Sequence, residues 1–532
     1  MLPSVRPCPP AGLMPSPVIR NSNVSKVCRQ ITLYVLLLSV SVAPLMYEPV
    51  PPLFDYPNHL GRMFMLAKPS AFYEPRWAFL PNLAMDATVA VLGHVMPIEV
   101  ASRVFLALTI ALLAGGALAL YYQVHGHLTA WPYVVFLFAY NRIFLWGFVN
   151  YVFGVGLALL GLSLWLRFRD DLTVYRIVAF HTMSVAIFLA HLEAFGVFAL
   201  CLATLELSSR GRSRHLCVVV SSVALPMVIF AATAHHLGRY DIQWGSAFTK
   251  VVALAGIFRS YEPLLDWTIA AILGAVVARL ALRGRFHVSR ALRWPVVSLA
   301  AFYVVTPQFI FNSEMTRLSL SLALLVIIAS HLEWSPRTNT LAAGVVIILT
   351  LLKTATVIHA WDSVEPSRTA YVELLDRVPN GARLFTVVFH DREPWSPLPE
   401  ALDHLSSLAV RRGVFVPTIF VSPYTPQPLA VRPAYRSLYR AGPHFLLSAP
   451  PDWQRVAREY EYLLVANGRR LAGFEVVAAT RAGILYRLQP QAPRSVMKSA
   501  AVPVEAGFTV CSGVGAGALR RCARGRQHSP AV

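Results

Sequence analysis

The stretch Phe54-Asp55-Tyr56-Pro57-Asn58-His59-Leu60-Gly61-Arg62 gathers a carboxylate, an imidazole and a guanidinium in a chain that is 56% hydrophobic and only 14% charged. Carboxylates and imidazoles move protons, and guanidinium binds anions. Any chemistry this chain performs is expected to start at Asp55. Asp55 could also cap a helix opening at Tyr56-Pro57, because Pro suits the first turn after an N-cap. Capping does not exclude a chemical role.

The elements that must position this stretch are mostly apolar. Soluble domains carry roughly 25% charged residues, well above the 14% here. Apolar runs near 20 residues recur along the 532 positions, and about 20 helical residues cross about 30 Å of hydrocarbon. The net charge of +20 does not indicate nucleic acid, because the basic residues lie mostly between apolar runs, as in loops kept on the cytoplasmic side. Six cysteines show no CxxC and no histidine at zinc spacing. Walker A, HExxH and GxSxG patterns are absent from the sequence.

Residues 1–30 are Pro-rich and basic, and 31–47 are apolar. With no small-residue cleavage site, this reads as a retained signal anchor with a cytoplasmic N-terminal segment. Residues 48–97 form a first external loop, with a short helical piece at 82–95. Further spans are expected near 98–122, 132–147, 148–166, 175–192, 194–208, 216–237, 263–282, 294–311, 317–333 and 339–360. Residues 247–258 read as an interfacial helix with Lys250 as its polar handle. The fold class is therefore an α-helical polytopic membrane protein of about 11 transmembrane helices, with its transmembrane domain over 31–361. Residues 362–489 read as a C-terminal extracytoplasmic α/β domain, with strands at 384–389, 414–421, 462–465, 474–478 and 484–488 and helices at 400–411 and 452–460. Residues 490–532 read as a disordered basic tail.

Orientation follows from charge. With the N-terminus inside, the cytoplasmic segments hold Arg6, Arg20, Lys26, Arg29, Arg167, Arg169, Arg176, Arg210, Arg212, Arg214, Arg283, Arg285, Arg290, Arg293 and Arg337. The external loops hold fewer basic residues over more chain, as the positive-inside rule expects. The mixed polar residues then fall on the outer face: Asp55, His59 and Arg62; Arg142 and Asn150; His191 and Glu193; His235, His236, Arg239 and Asp241; Asn312, Glu314 and Arg317. Ionisable groups near membrane depth usually line an interior or a wet cavity. Each also has a plainer reading: His191 and Glu193 can satisfy a tight helical hairpin, and Glu314 and Arg317 can form an i,i+3 surface pair.

One anchor span, a long external loop with an early Asp, many further spans and an external α/β domain together resemble the GT-C superfamily of integral-membrane glycosyltransferases. Asp55-Tyr56-Pro57-Asn58-His59-Leu60-Gly61-Arg62 is the residue-level link, and the architectural resemblance covers 31–489. The resemblance implies a polyprenyl-phosphate-linked sugar as partner, within a bacterial inner membrane of lipid. It implies Asp55 as general base for an inverting transfer. Arg62, Arg142, Arg239 and Arg317 would neutralise the leaving phosphate, and His59 would orient Asp55 or touch phosphate. Asn150, His191, Glu193 and Glu314 complete the candidate binding face. Many members pair two acids in the first loop; here Asp55 has no adjacent acid, so no metal or other cofactor is expected. Two other classes stay open: a transporter or flippase of a lipid-linked substrate, and a non-catalytic protein of envelope assembly.

Overall fold

A computed structural model describes residues 17–68, 70–208, 213–233, 242–310, 313–388, 402–421, 427–438, 453–467 and 470–489. Arg239, with His235, His236 and Asp241, lies outside the described residues, as do Asn312 and 490–532.

The helices in chain order are α1 (Pro17–Tyr47), α2 (Tyr56–Ala67), α3 (Ala84–Leu92), α4 (Ile98–His125), α5 (Arg142–Leu145), α6 (Val149–Phe168), α7 (Val174–Ala190), α8 (Leu192–Ser208), α9 (Ser213–Thr233), α10 (Ala247–Ala255), α11 (Pro263–Leu282), α12 (Arg293–Val305), α13 (Leu318–Ala329), α14 (Pro336–Asp376) and α15 (Trp453–Glu459). Among the described residues, six helical stretches are long and apolar enough to cross a membrane: Ser25–Tyr47, Ile98–His125, Val149–Phe168, Ser213–Ala232, Pro263–Leu282 and Pro336–Asp376. Helices α7, α12 and α13 are apolar but shorter. Exposed Val220, Val228, Leu264, Ile272, Val345 and Ile348 lie on α9, α11 and α14, as expected of surfaces facing lipid rather than water.

Helices α4 and α6 form the tightest pair. A Cβ built on Gly116 would fall 2.5 Å from the Gly156 carbonyl oxygen, and one on Gly156 would fall 2.8 Å from Leu112. Small residues allow this approach, and dispersion rather than hydrophobic exclusion holds such helices together in lipid.

The expected span at 132–147 takes another form. Residues Trp131–Phe138 make a 3₁₀ helix, followed by the single turn of α5. Pro132 lies in its first turn. Eight 3₁₀ residues rise about 16 Å, close to the rise of α1 between Gln30 and Ser41. Tyr133 Oη donates to the Gln30 carbonyl (3.0 Å) and Tyr140 Oη to the Ser41 carbonyl (2.7 Å). The segment thus runs along α1 and delivers Asn141–Gly147 to the end of the bundle that carries α2. At the far end, His125 Nε2 donates to the Ile328 carbonyl (2.9 Å), and Tyr121 Oη lies 2.8 Å from His331 Nδ1.

The expected domain boundary near 361 is also displaced. Helix α14 has 41 residues and is about 60 Å long, so it continues past its apolar part and into the C-terminal region. There Thr480 Oγ1 donates to the Ala370 carbonyl and Arg481 Nε to the Pro366 carbonyl. The C-terminal sheet has the strand order Glu475–Thr480, Gly483–Arg487, Tyr462–Ala466, Leu384–Val388, with only the last pair parallel. Residues 414–421 form no strand, only an Arg383–Phe415 bridge, and Leu405–Arg412 is a 3₁₀ helix rather than an α-helix. Residues 247–258 form α10 and a 3₁₀ turn, with Lys250 Nζ donating to the Val304 and Thr306 carbonyls at the end of α12.

The first loop and the C-terminal region are interleaved. Strand Tyr73–Pro75 pairs antiparallel with Leu429–Val431. Tyr73 Oη donates to the Val416 carbonyl (2.6 Å) and accepts from the Val416 N–H (3.1 Å). At the loop's start, Arg368 of α14 reaches Glu48 (3.4 Å) and the Val50 carbonyl.

Burial raises the Glu48 carboxyl to about 7, opposed by Arg368 and assisted by Glu365. Its ordinary value is 4.5. A raised carboxyl favours the folded state most below its unfolded value, and that contribution is lost as pH rises from about 4.5 to about 7. Glu48→Gln is expected to flatten the pH dependence of the unfolding midpoint between pH 5 and 7. An unchanged slope would show that another group sets it.

Candidate functional site

Helix α2 starts at Asp55, which has φ −82° and ψ −10°, and Pro57 lies in the first turn. Asp55 makes no side-chain cap hydrogen bond. Its carboxylate therefore remains for other partners, and its side chain is 13% exposed. Oδ1 lies 3.3 Å from Nε2 of His404, contributed by the C-terminal region. The backbone is pinned from the other side, because Phe54 N–H donates to the Leu145 carbonyl (3.0 Å) and Asp55 N–H to the Trp146 carbonyl (3.2 Å). This approach requires Gly147, whose φ is +87° and whose absent Cβ would fall 2.7 Å from the Asp55 Cβ and N.

The remaining polar residues of α2 face in two directions. Asn58 is fully buried and bonds to the Thr418 carbonyl (2.8 Å), the Phe420 N–H (2.9 Å) and His404 Nδ1 (3.2 Å). Gly61 lets the helix touch the C-terminal region, since a Cβ there would sit 2.7 Å from the Ser407 carbonyl oxygen. His59 and Arg62 turn inward. Arg62 Nε and Nη2 bind both oxygens of Asp86 on α3 (2.7 and 3.0 Å), and both residues are 0% exposed. Arg62 Nη2 also reaches His59 Nδ1 (3.0 Å), and His59 Nε2 reaches the Gly147 carbonyl (3.3 Å).

A carbonyl only accepts and a guanidinium only donates, so His59 carries its proton on Nε2. Burial, and then Arg62, hold its pKa well below the usual imidazole value. With both nitrogens engaged, His59 is placed to support Arg62 and Gly147, not to exchange a proton. Arg62 is likewise committed to Asp86, which differs from its expected contact with phosphate.

A second cluster joins residues from three helices. Arg317 Nε lies 3.3 Å from Glu193 and donates to the Glu314 carbonyl (2.7 Å), and its Nη1 reaches His191 Nε2 (3.4 Å). Its guanidinium stacks over Phe148 at 4.1 Å. Tyr151 Oη donates to the Arg317 carbonyl (3.0 Å) and pairs with Ser321 (2.7 Å). The i,i+3 pairing of Glu314 with Arg317 does not form through side chains; the Glu314 carboxylate instead takes the Thr316 hydroxyl. Asn150 anchors the entry to α3, accepting from Met85 N–H (2.8 Å) and donating to the Asn82 carbonyl and side chain (both 2.9 Å).

Arg142 and Glu314 come together. They line one open pocket with Trp146, Gln308, Thr316 and Ser319. Arg142 sits over the Trp146 ring at 5.0 Å, and its side chain makes no hydrogen bond or ion pair among the described residues. Arg259 is near enough that Arg142, after burial, lowers its pKa. Asp55 does not line this cavity. Trp146 connects the two, since it lines the cavity, accepts from Asp55 N–H and has its ring 5.8 Å from that of Phe54.

Sequence reasoning missed His404, Asn58, Asp86 and Trp146. Asp86 carried a usable signal, being the one acid in the apolar helix AMDATVAVL. His404 carried none, because its partner lies in the first loop.

The polar groups on α2 and the 402–421 segment therefore form one network at the α2 end of the bundle, and Trp146 links it to the pocket that holds Arg142. No family model matches the chain, and no curated protein matches it either.

Proposed function

We propose that the chain is a multi-pass membrane glycosyltransferase of GT-C-like build that moves a sugar from a polyprenyl-phosphate donor to an extracytoplasmic acceptor. The observation that carries this reading is a carboxylate that caps no helix, paired with an imidazole, beside a cavity holding an arginine without an acceptor. Asp55 takes the proton of an acceptor hydroxyl as that oxygen attacks the anomeric carbon. The anomeric C–O bond breaks, its electron pair leaves with the lipid phosphate, and the configuration inverts. Arg142 meets the phosphate charge, as guanidinium suits anionic oxygens. In this reading the chain crosses a cell inner membrane eleven times, counting the short helices and the 131–147 segment. Its N-terminus is cytoplasmic, and the first loop and C-terminal domain lie outside.

The test is transfer by the purified protein in lipid nanodiscs, with a polyprenyl-phosphate sugar as donor. Arg142→Gln is expected to raise the donor KM about tenfold or more, since a hydrogen bond to a charged group contributes about 1.5–3 kcal/mol. An unchanged KM would remove Arg142 from the donor site.

A transporter of the same lipid-linked substrate is the second reading. Its support is the buried pair of Lys353 and Asp266, 3.1 Å apart on α14 and α11, because transporters place ionisable groups within their spans. Ser260 also donates to Asp266, and Lys353 donates to the Phe258 carbonyl. These bonds suit a fixed clasp better than a moving gate.

A further inference from the structure

We propose that Asn58 and His404 act as a positioning pair that makes His404 a fixed hydrogen-bond donor to Asp55, so that the C-terminal region completes the reaction centre. The inference rests on the reading of Asp55 as the base.

Two backbone groups set the polarity of the network. The Phe420 N–H can only donate, and it meets Asn58 Oδ1 at 2.9 Å. The Thr418 carbonyl can only accept, and it meets Asn58 Nδ2 at 2.8 Å. Together they fix which end of the amide is oxygen, an assignment usually made from the network alone. The second hydrogen of Nδ2 then faces His404 Nδ1 at 3.2 Å, so Nδ1 accepts. A neutral imidazole that accepts at one nitrogen carries its proton on the other. That nitrogen, Nε2, lies 3.3 Å from Asp55 Oδ1. The Nε2 proton of His404 is thus on the nitrogen nearest the Asp55 carboxylate, which makes it the donor of the proposed pair.

Three consequences follow for the chemistry. Oδ1 is held by His404, leaving Oδ2 for the acceptor hydroxyl. The ring has no vacant lone pair, since Nδ1 accepts from Asn58 and Nε2 bears hydrogen, so it cannot relay the proton onward. The proton taken from the hydroxyl stays on Oδ2 and leaves to water after transfer. Aromatic rings hold the imidazole in place, with Phe54 at 5.0 Å and Phe420 at 5.4 Å, both edge-on. His404 and Asn58 are both buried, and both depend on docking of α2 against residues 402–421. The centre is thus assembled by contact between the first loop and the C-terminal region.

Full-length protein in nanodiscs, labelled with ¹⁵N-histidine, gives a readout independent of catalysis. The His404 signals are identified by their loss in His404→Gln. The expected spectrum has an unprotonated Nδ1 and a protonated Nε2. In Asn58→Asp, the new carboxylate accepts from the ring, so Nδ1 is expected to become protonated. A protonated Nδ1 in the native protein, or an unaltered ring in Asn58→Asp, would overturn the pairing. Activity supplies a second readout. His404→Leu is expected to lower kcat about 10²-fold at unchanged donor KM, the scale of a small misplacement of a reacting group. His404→Gln, whose amide can still donate, is expected to restore transfer to within about tenfold of the native rate. Equal loss in both variants would overturn the donor role. The two ideas fail separately. The expected tautomer with no transfer from any donor would reject the glycosyltransferase reading alone. Transfer abolished by Asp55→Asn, together with a protonated Nδ1, would reject the pairing alone.

Discussion

Asp55→Asn is expected to lower kcat for sugar transfer by roughly 10²–10⁴-fold, the contribution typical of a positioned general base, with donor KM little changed. The size of the loss follows from how little else the substitution disturbs. Asp55 contributes no side-chain cap to α2, so the helix start does not depend on the carboxylate. Its backbone N–H stays bonded to the Trp146 carbonyl. The side-chain oxygen of Asn can still face His404 Nε2, and its amide then points where the acceptor hydroxyl would lie. That amide has no lone pair with which to take a proton. The unfolding midpoint is therefore expected to stay near the native value while transfer collapses. A variant that folds normally and transfers at near-native rate would remove Asp55 as the base, whatever the role of the cavity beside it.

What could be read from the sequence, and what could not, divides by range. The long spans were legible because an apolar stretch such as 98–122 needs no partner to declare itself; α4 runs from Ile98 to His125. The polar stretch of α2 was legible for the same local reason. The 3₁₀ helix at Trp131–Phe138 was not, because WPYVVFLF is apolar whether it spans as an α-helix or lies along α1. Helix α14 passes through 361 because Tyr371, Leu374 and Leu375 give its last turns a buried face, while the charges and Pro366 before them suggest an end. Arg317 and Glu314 have pairing distance in sequence, yet Glu193 and His191 compete successfully for the guanidinium. The candidate site itself was the least legible part. The contact of Asn58 with His404 spans 346 positions, and no local pattern encodes it. What Gly61 and Gly147 do is clear only once the Ser407 carbonyl and Asp55 lie where a Cβ would be.

Asp86→Leu is expected to be the most destabilising single change in the first loop, by about 3–5 kcal/mol, because it leaves the fully buried Arg62 charge without its acid. Burial of the pair itself is not evidence of a large net gain, since taking two charges out of water offsets most of their attraction. The cost therefore belongs to the stranded partner. The double variant Arg62→Met with Asp86→Leu is expected to recover most of the loss, because it removes both charges while roughly keeping volume. Recovery should stop short of complete, as His59 Nδ1 would then lack the donor it has in Arg62 Nη2, at about 1–3 kcal/mol for a buried unsatisfied group. Denaturant or thermal unfolding of the two single variants and the double closes this cycle; a single Asp86→Leu that unfolds like the native protein would sink it. The double variant also decides between two roles for Arg62. If the guanidinium serves only to hold α2 against α3, the folded double variant should keep the native donor KM, and its kcat should fall only as far as Asp55 is displaced. If Arg62 meets the donor phosphate as the stretch around it first suggests, the donor KM should rise even where stability has returned. The present geometry, with Nε and Nη2 both on Asp86, predicts the first outcome.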